Sequence, residues 1–241
     1  MNLRFVYRNL KARFRDQHQE IKALLAHIRP GDTVVDCGAN KGGYVWTLSR
    51  AAGKNGQVVA FEPQRKLAAY LRDMARSCGL HNVRIEEKGI SEHAGTMQLM
   101  IPGGDTSPGA SLEPGILQRE NCTAYPVEVV SLDEYFAART RKISAIKIDV
   151  EGHEFAVLHG AQNILEQDAP LLVFECEQRH LSGTTVAEIL AWLQARGYTG
   201  WFIRQGALRP VAEFNVELHQ RQTGQRFWDA PDYCNNFIMK K

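Results

Sequence analysis

The chain has 241 residues, 44% hydrophobic and 23% charged, with a net charge of +2. This is the composition of an ordinary globular domain able to bury a sizeable core, with no field that would draw a polyanion and no apolar run as long as the ~18 residues of a membrane span. The five cysteines (Cys37, Cys78, Cys122, Cys176, Cys234) form no C-x-x-C pair. They read as reduced thiols, not as a disulfide framework or zinc site, and the N-terminus lacks the apolar core of a signal peptide, so a cytoplasmic protein is expected.

At the N-terminus, Leu3, Val6, Tyr7, Leu10 and Phe14 recur at helical spacing, interleaved with Arg4, Arg8, Lys11, Arg13 and Arg15 and opposed only by Asp16. A basic amphipathic helix of this kind either packs its stripe on the domain or lies peripherally on an anionic membrane or partner. A second helical stretch over 17–29 is stopped by Arg29-Pro30-Gly31. Residues 1–29 are therefore expected to be a helical extension, and 30–241, which no linker divides, a single domain.

The stretch VVDCGANKGGY, residues 34–44, follows. A strand at about 33–37 ends near Asp36 and runs through a side-chain-poor turn into a helix at about 42–52. Such a turn lets the backbone approach a ligand, with the free N–H groups of the new helix aimed at it. A second strand, QVVAFE, ends in Glu62, roughly 20–25 residues on, where an acid suits the hydroxyls of a ribose. The dinucleotide fingerprint G-x-G-x-x-G needs a middle glycine, but Asn40 stands there between Gly38 and Gly42. Asp36 would repel phosphate and suit a cation such as an amino group or sulfonium. The pattern D-x-G-x-x-x-G resembles motif I of the class I S-adenosylmethionine-dependent methyltransferases.

A helix with Leu67, Leu71, Met74, Ala75 and Cys78 on one face stops at Gly79, and NVRIEEKGI reads as the third strand. Two short strands, GTMQLMI and PVEVV, then flank a long polar loop over 102–126, which is either a lid or substrate-binding segment or a disordered surface excursion. Ser131 and Glu134 form a capping-box pattern. Strand ISAIKIDV, one helix from about 153 to 166, strand PLLVFE, helix TTVAEILAWLQARG and strands YTGWFI and NNFIM complete the chain. The alternation implies a mostly parallel, doubly wound α/β sheet with ligands at the carboxyl ends of its strands.

Asp149, Glu151, His153 and Glu154 crowd the end of the ISAIKI strand, and Glu175, Glu177, Arg179 and His180 follow the next one. Glu151 and Glu154 also suit a helix N-terminus. The run IKIDVEGHEFAVLHGAQNIL resembles the signature of the FkbM-type methyltransferases, as do DCGANKGGY, VVSLDEYF, the Glu closing VFE and the final CNNFI. The resemblance covers roughly residues 30–240. It implies a Rossmann-like class I methyltransferase fold, with a seven-stranded, mostly parallel sheet whose last strand is antiparallel. It also implies S-adenosylmethionine as donor and O-methylation of a sugar, polyketide or other secondary metabolite. His153 departs from the family, which often has a small residue there. It is either a substrate contact or a tolerated surface residue.

An alcohol acceptor needs alignment and a base. Asp149, Glu175, His153 and Glu151 are the catalytic candidates, with His180 behind them. Asp36 is expected to take the methionine amino group, Gly38, Asn40, Gly42 and Tyr44 to shape the turn around it, Glu62 to hold the ribose, and Glu87 and Gly89 to border the adenine. Asp149, Glu151 and Glu175 are also hard oxygen ligands of a kind that holds Mg²⁺, although their spacing demands no metal. The expected substrate is a small molecule or glycan. Amine, RNA or protein methylation, a nicotinamide oxidoreductase and a non-enzymatic binding module are the rival readings. Asp149-Val150-Glu151-Gly152 stands where base-nitrogen methylases carry Asp/Asn-Pro-Pro-aromatic, and the missing middle glycine leans against NAD.

Overall fold

The computed structural model describes residues 2–113 and 122–241. Among these, eleven strands form two sheets. The large sheet holds β1 (Thr33–Cys37), β2 (Gln57–Phe61), β3 (Val83–Glu86), β7 (Ile143–Ile148), β8 (Leu171–Glu175), β9 (Thr199–Arg204), β10 (Ala207–Pro210) and β11 (Asn236–Lys240), in the order β10-β9-β11-β8-β7-β1-β2-β3. Strands β1, β2, β3, β7 and β8 pair in parallel, while β11 runs antiparallel to both β8 and β9. Strands β1, β2, β7 and β8 read as near-continuous apolar runs because helices cover both faces of the sheet. The small sheet, β4 (Gly89–Ile90), β5 (Gly95–Pro102) and β6 (Cys122–Val130), is ordered β4-β6-β5.

Helices α1 (Leu3–Lys11), α2 (His18–His27), α3 (Val45–Ala52) and α4 (Arg65–Ser77) lie on one face of the large sheet. On the other lie α5 (Leu132–Tyr135), α6 (Glu154–His159), α7 (Gln162–Gln167) and α8 (Val186–Ala195). The short α9 (Val216–His219) precedes the last strand. The chain leaves β1 for β2 on one side and reaches β7 on the other, so the order reverses at β1, where open α/β sheets bind ligands.

Three sequence expectations change. The sheet has eight strands, not seven, because Gln205 (φ 50°) and Gly206 (φ 72°) make a tight hairpin turn that adds β10. NVRIEEKGI splits between the two sheets at Glu87-Lys88. The helix expected over 153–166 breaks in two. A Cβ at Gly160 would overlap the Ser91 carbonyl, and the Gly160 carbonyl accepts from Asp133 N–H (2.8 Å) instead of continuing the helix. The helical extension expected over 1–29 packs on the domain, one of the two readings offered for it. Phe5 is fully buried with Leu71 and Val45, and Ile21 and Leu24 pack with Val34 and Leu171. A π-helical turn, Ala12–Asp16, joins α1 to α2. The capping box of Ser131 and Glu134 forms as expected.

Candidate active site

The turn after β1 is built from backbone demands. Gly38 (φ 80°) lies so close to β7 that a Cβ would overlap the Asp149 carbonyl oxygen. Its N–H and that of Ala39 both donate to the Phe61 carbonyl (3.0 Å each), which binds the turn to the end of β2. Asn40 takes φ 46°, a conformation that asparagine tolerates better than most residues. Its N–H donates to Glu62 Oε2 at 2.7 Å, and Gln64 N–H donates to Glu62 Oε1 at 2.8 Å. The two bonds hold the carboxyl in one orientation and leave a lone pair free on each oxygen. Burial pushes the Glu62 carboxyl up to about 7 against those hydrogen bonds.

Glu62 lies in a narrow slot of about 50 Å³ between the turn and the small sheet, with Gly38, Asn40, Gly89, Leu112 and Asp149 on its walls. A strap over 107–113 roofs it. Ser107 and the Gln64 side chain exchange two hydrogen bonds (2.8 and 2.9 Å), Ser111 bridges to Met100 on β5, and Ser111 Oγ donates to the Glu151 carbonyl at 2.6 Å. Residues 114–121 of the loop expected over 102–126 lie outside the described residues.

Past Asp149 the slot meets a wide cavity of about 960 Å³, which shares Gly38, Asn40, Pro108, Asp149 and Glu151 with it. Glu175 and Tyr44 line its inner end, and α1 forms the outer wall. At its floor lies Lys147, which the sequence reading passed over. Its signal was a lone lysine inside the apolar run ISAIKI. It is the register partner of Asp36 across the β1–β7 pair, so both side chains leave the same face. Lys147 Nζ donates to Asp149 Oδ2 (3.2 Å) and to the Gly38 carbonyl (3.1 Å), and it lies 3.5 Å from Asp36 Oδ1 and over the Tyr44 ring. Burial disfavours this ammonium, but Asp149 and Asp36 outweigh it and hold Lys147 above its ordinary range. Asp36, only 1% exposed, accepts no hydrogen bond, and burial outweighs Lys147 to raise its carboxyl. It sits under the turn as the partner of Lys147 and does not line the slot or the cavity, which keeps it apart from the expected methionine site.

Glu175 accepts from Asn235 Nδ2 at 2.7 Å. Burial, reinforced by the Asp149, Glu151 and Glu177 carboxyls, lifts it well above the carboxylate range. Glu151, in the left-handed region (φ 53°), borders both slot and cavity and pairs with His180 Nδ1 at 3.1 Å. Its carboxyl is also raised by burial.

Three expected site residues are used elsewhere. His153 is neither at the surface nor in the cavity. Buried at 6% exposure, its Nδ1 bonds Glu113 Oε1 (2.6 Å) and its Nε2 bonds Ser91 Oγ (2.9 Å), which pegs the strap to the core. Ser182 Oγ donates to the other oxygen of Glu113 at 2.7 Å. Gly42 (φ 74°) faces away from the slot, and a Cβ there would come within 2.7 Å of both Phe5 and Leu71. Glu87 turns outward to Arg72 (2.9 Å), leaving Lys88, Gly89 and Ile90 on the slot wall. Among the described residues, no three His, Cys, Asp or Glu side chains converge as a metal site would require.

The fold is shared with solved structures at low identity. A methyltransferase FkbM from Methylobacillus flagellatus superposes with a TM-score of 0.56 at 15% identity, over 92% of this chain and 50% of that one. This chain thus spans about half the length of that protein. An rRNA methylase from Streptococcus thermophilus gives 0.53 at 13% identity, over 94% and 96% of the two chains. A SAM-dependent O-methyltransferase from Thermotoga maritima gives 0.50 at 17% identity, over 95% and 65%. Comparison with curated proteins finds no match. The model of the methyltransferase FkbM domain matches residues 36–199, the span from Asp36 through β1, the strap, β7 and β8 to the start of β9, and the chain belongs to that family.

Proposed function

We propose that this chain is an S-adenosylmethionine-dependent O-methyltransferase acting on a hydroxyl of a carbohydrate or other secondary metabolite. The observation that carries the reading is the continuity of slot and cavity: the preset Glu62 carboxylate lies in one, Glu175 lies in the other, and Asp149 stands on their shared wall. The donor would be held by Glu62 at its ribose, by the Gly38–Asn40 backbone, and by Gly89 and Leu112 beside its base. When bound, S-adenosylmethionine supplies an already electrophilic methyl group. The strap's pegs at Gln64, Glu151 and His153 are hydrogen bonds that can be exchanged when the donor enters.

The protein's own residues then align the acceptor and take one proton. Asp149, paired with Lys147 at 3.2 Å, accepts a hydrogen bond from the acceptor hydroxyl and orients it. Glu175, whose carboxyl burial and the neighbouring carboxyls hold well above the carboxylate range, takes the proton. Alignment is worth ~7–11 kcal/mol and a positioned base about 10²–10⁴-fold. The carboxylate-lined inner end suits a polyhydroxylated acceptor better than a phosphodiester chain. Cysteines free and without disulfides support the cytoplasm as the working compartment, and among the described residues no helix is long and apolar enough to cross a membrane.

The test is a methyl-transfer screen with labelled donor against hydroxylated glycans, natural products and RNA, with and without EDTA. Label in a hydroxyl of the first two classes supports the reading. Label in RNA alone, or failure to bind S-adenosylhomocysteine, overturns it. Loss of activity in EDTA would add a metal at the carboxylates.

A further inference from the structure

Charge is unevenly spread along this chain. Residues 3–16 hold five of its 29 lysines and arginines but only one of its 27 acids, Asp16. The same segment carries an apolar ridge. While Phe5 and Asn9 are buried, Leu3 (71% exposed), Tyr7 (68%), Leu10 (36%) and Phe14 (67%) face solvent. Their spacing of four, three and four residues places them on one side of the helix, away from the core. A single exposed apolar residue needs no explanation, but four in line, flanked by cations, do. Among the described residues Asp16 alone pairs with these cations, taking Lys11 and Arg15, while Arg4 and Arg13 form no ion pair. The ridge also adjoins the active-site opening, since Leu3, Arg4, Tyr7 and Lys11 form the outer wall of the acceptor cavity.

We propose that α1 and the π-helical turn after it dock this protein on an anionic phospholipid surface, with Leu3, Tyr7, Leu10 and Phe14 entering the headgroup boundary and the arginines pairing with lipid phosphates. An apolar ridge bordered by basic residues is what such an interface selects. Docked this way, the cavity opens at the bilayer, and the acceptor is an amphiphile whose hydroxyl-bearing head enters from the lipid side. That last clause rests on the proposed methyl transfer; the docking itself does not.

The test is co-sedimentation with phosphatidylcholine vesicles, with and without about 30% phosphatidylglycerol, an anionic lipid that attracts basic segments. The variant is Leu10→Gln with Phe14→Gln, because neither residue lines slot or cavity and both are exposed. The wild type is expected to pellet with the anionic vesicles, to stay in solution with the neutral ones, and to be released by high salt. The double variant is expected to partition at least about ten-fold more weakly with unchanged Tm and S-adenosylhomocysteine affinity. Neutralising Arg4 or Arg13 should cost about five-fold each. No pelleting, or equal pelleting with neutral vesicles, overturns the proposal. So does a concentration-dependent dimer that the double variant disperses without any vesicle binding, since the ridge would then serve a second copy. If vesicles bind and S-adenosylhomocysteine does not, the docking stands and the functional reading falls.

Discussion

The two halves of the cleft are built in different ways. The slot is made largely of backbone: the Gly38–Asn40 turn, its tether to Phe61, and one carboxyl fixed by two N–H groups. The wide cavity adds to that turn the side chains of α1, the strap, β7 and β8, segments far apart in the chain. A backbone turn constrains residues within a short window and leaves a local trace. A cavity converging from distant segments constrains each segment only weakly. The two halves should therefore respond differently to substitution, the slot through ligand affinity and the cavity through turnover.

Glu175→Gln is expected to have the largest effect, a fall in kcat of about 10²–10⁴-fold with S-adenosylhomocysteine affinity nearly unchanged. With Glu175 intact, kcat should rise with pH through an apparent value above the usual carboxylate range, and the variant should flatten that profile. A variant that turns over normally would remove Glu175 from the chemistry. In the other half, Glu62→Ala removes two charge-assisted acceptors and should weaken S-adenosylhomocysteine binding by roughly two orders of magnitude in calorimetry. Unchanged affinity there would dissolve the distinction between the halves.

Asn9→Ala tests the seam between them. Asn9 donates to the Gly42 carbonyl (2.8 Å) and accepts from the Trp46 N–H (3.1 Å), so it caps α3 from a different helix. Its loss should cost about 1–3 kcal/mol in denaturant unfolding. A cost near zero would mean that α1 is not coupled to the turn.

The smallest effect expected is a pH dependence of stability. Burial raises Glu20 and Glu62 to about 7 and Glu154 to about 8 from 4.5. The folded state then binds more protons than the unfolded chain between these values. The stability these groups contribute is complete below pH 4.5 and is lost as pH climbs through 7 to 8. Tm should be a few degrees higher at pH 5.5 than at pH 8. A Tm that stays flat over that interval would show that these carboxyls titrate normally in the folded protein.

Much of the fold was legible in the sequence because buried parallel strands need continuous apolar runs, and β1, β2, β7 and β8 each supply one. The break at Gly160 was not, because it answers to the Ser91 carbonyl some 70 residues earlier in the chain. Around the slot, turn geometry singled out Gly38, Asn40 and Glu62, which the structure brings together, and Asp36, which lies beneath the turn against Lys147. Gly42 was found as well but assigned the wrong neighbour, since a glycine that admits Phe5 looks the same in sequence as one that admits a ligand. Lys147 left a usable trace, a charge inside a buried strand, which calls for a partner. His153 left none, because its partners Glu113 and Ser91 are visible only once the strap is in place.

The carboxamide of Asn9 has one more implication. It spans α1, the turn and the first residues of α3, so damage at the amino-terminal end would not stay there. A protease that nicked the π-helical turn at Ala12–Asp16 would strip a donor and an acceptor from the turn and helix behind it. Such a cut would unsettle the turn beside the slot while leaving every residue around Glu62 chemically intact.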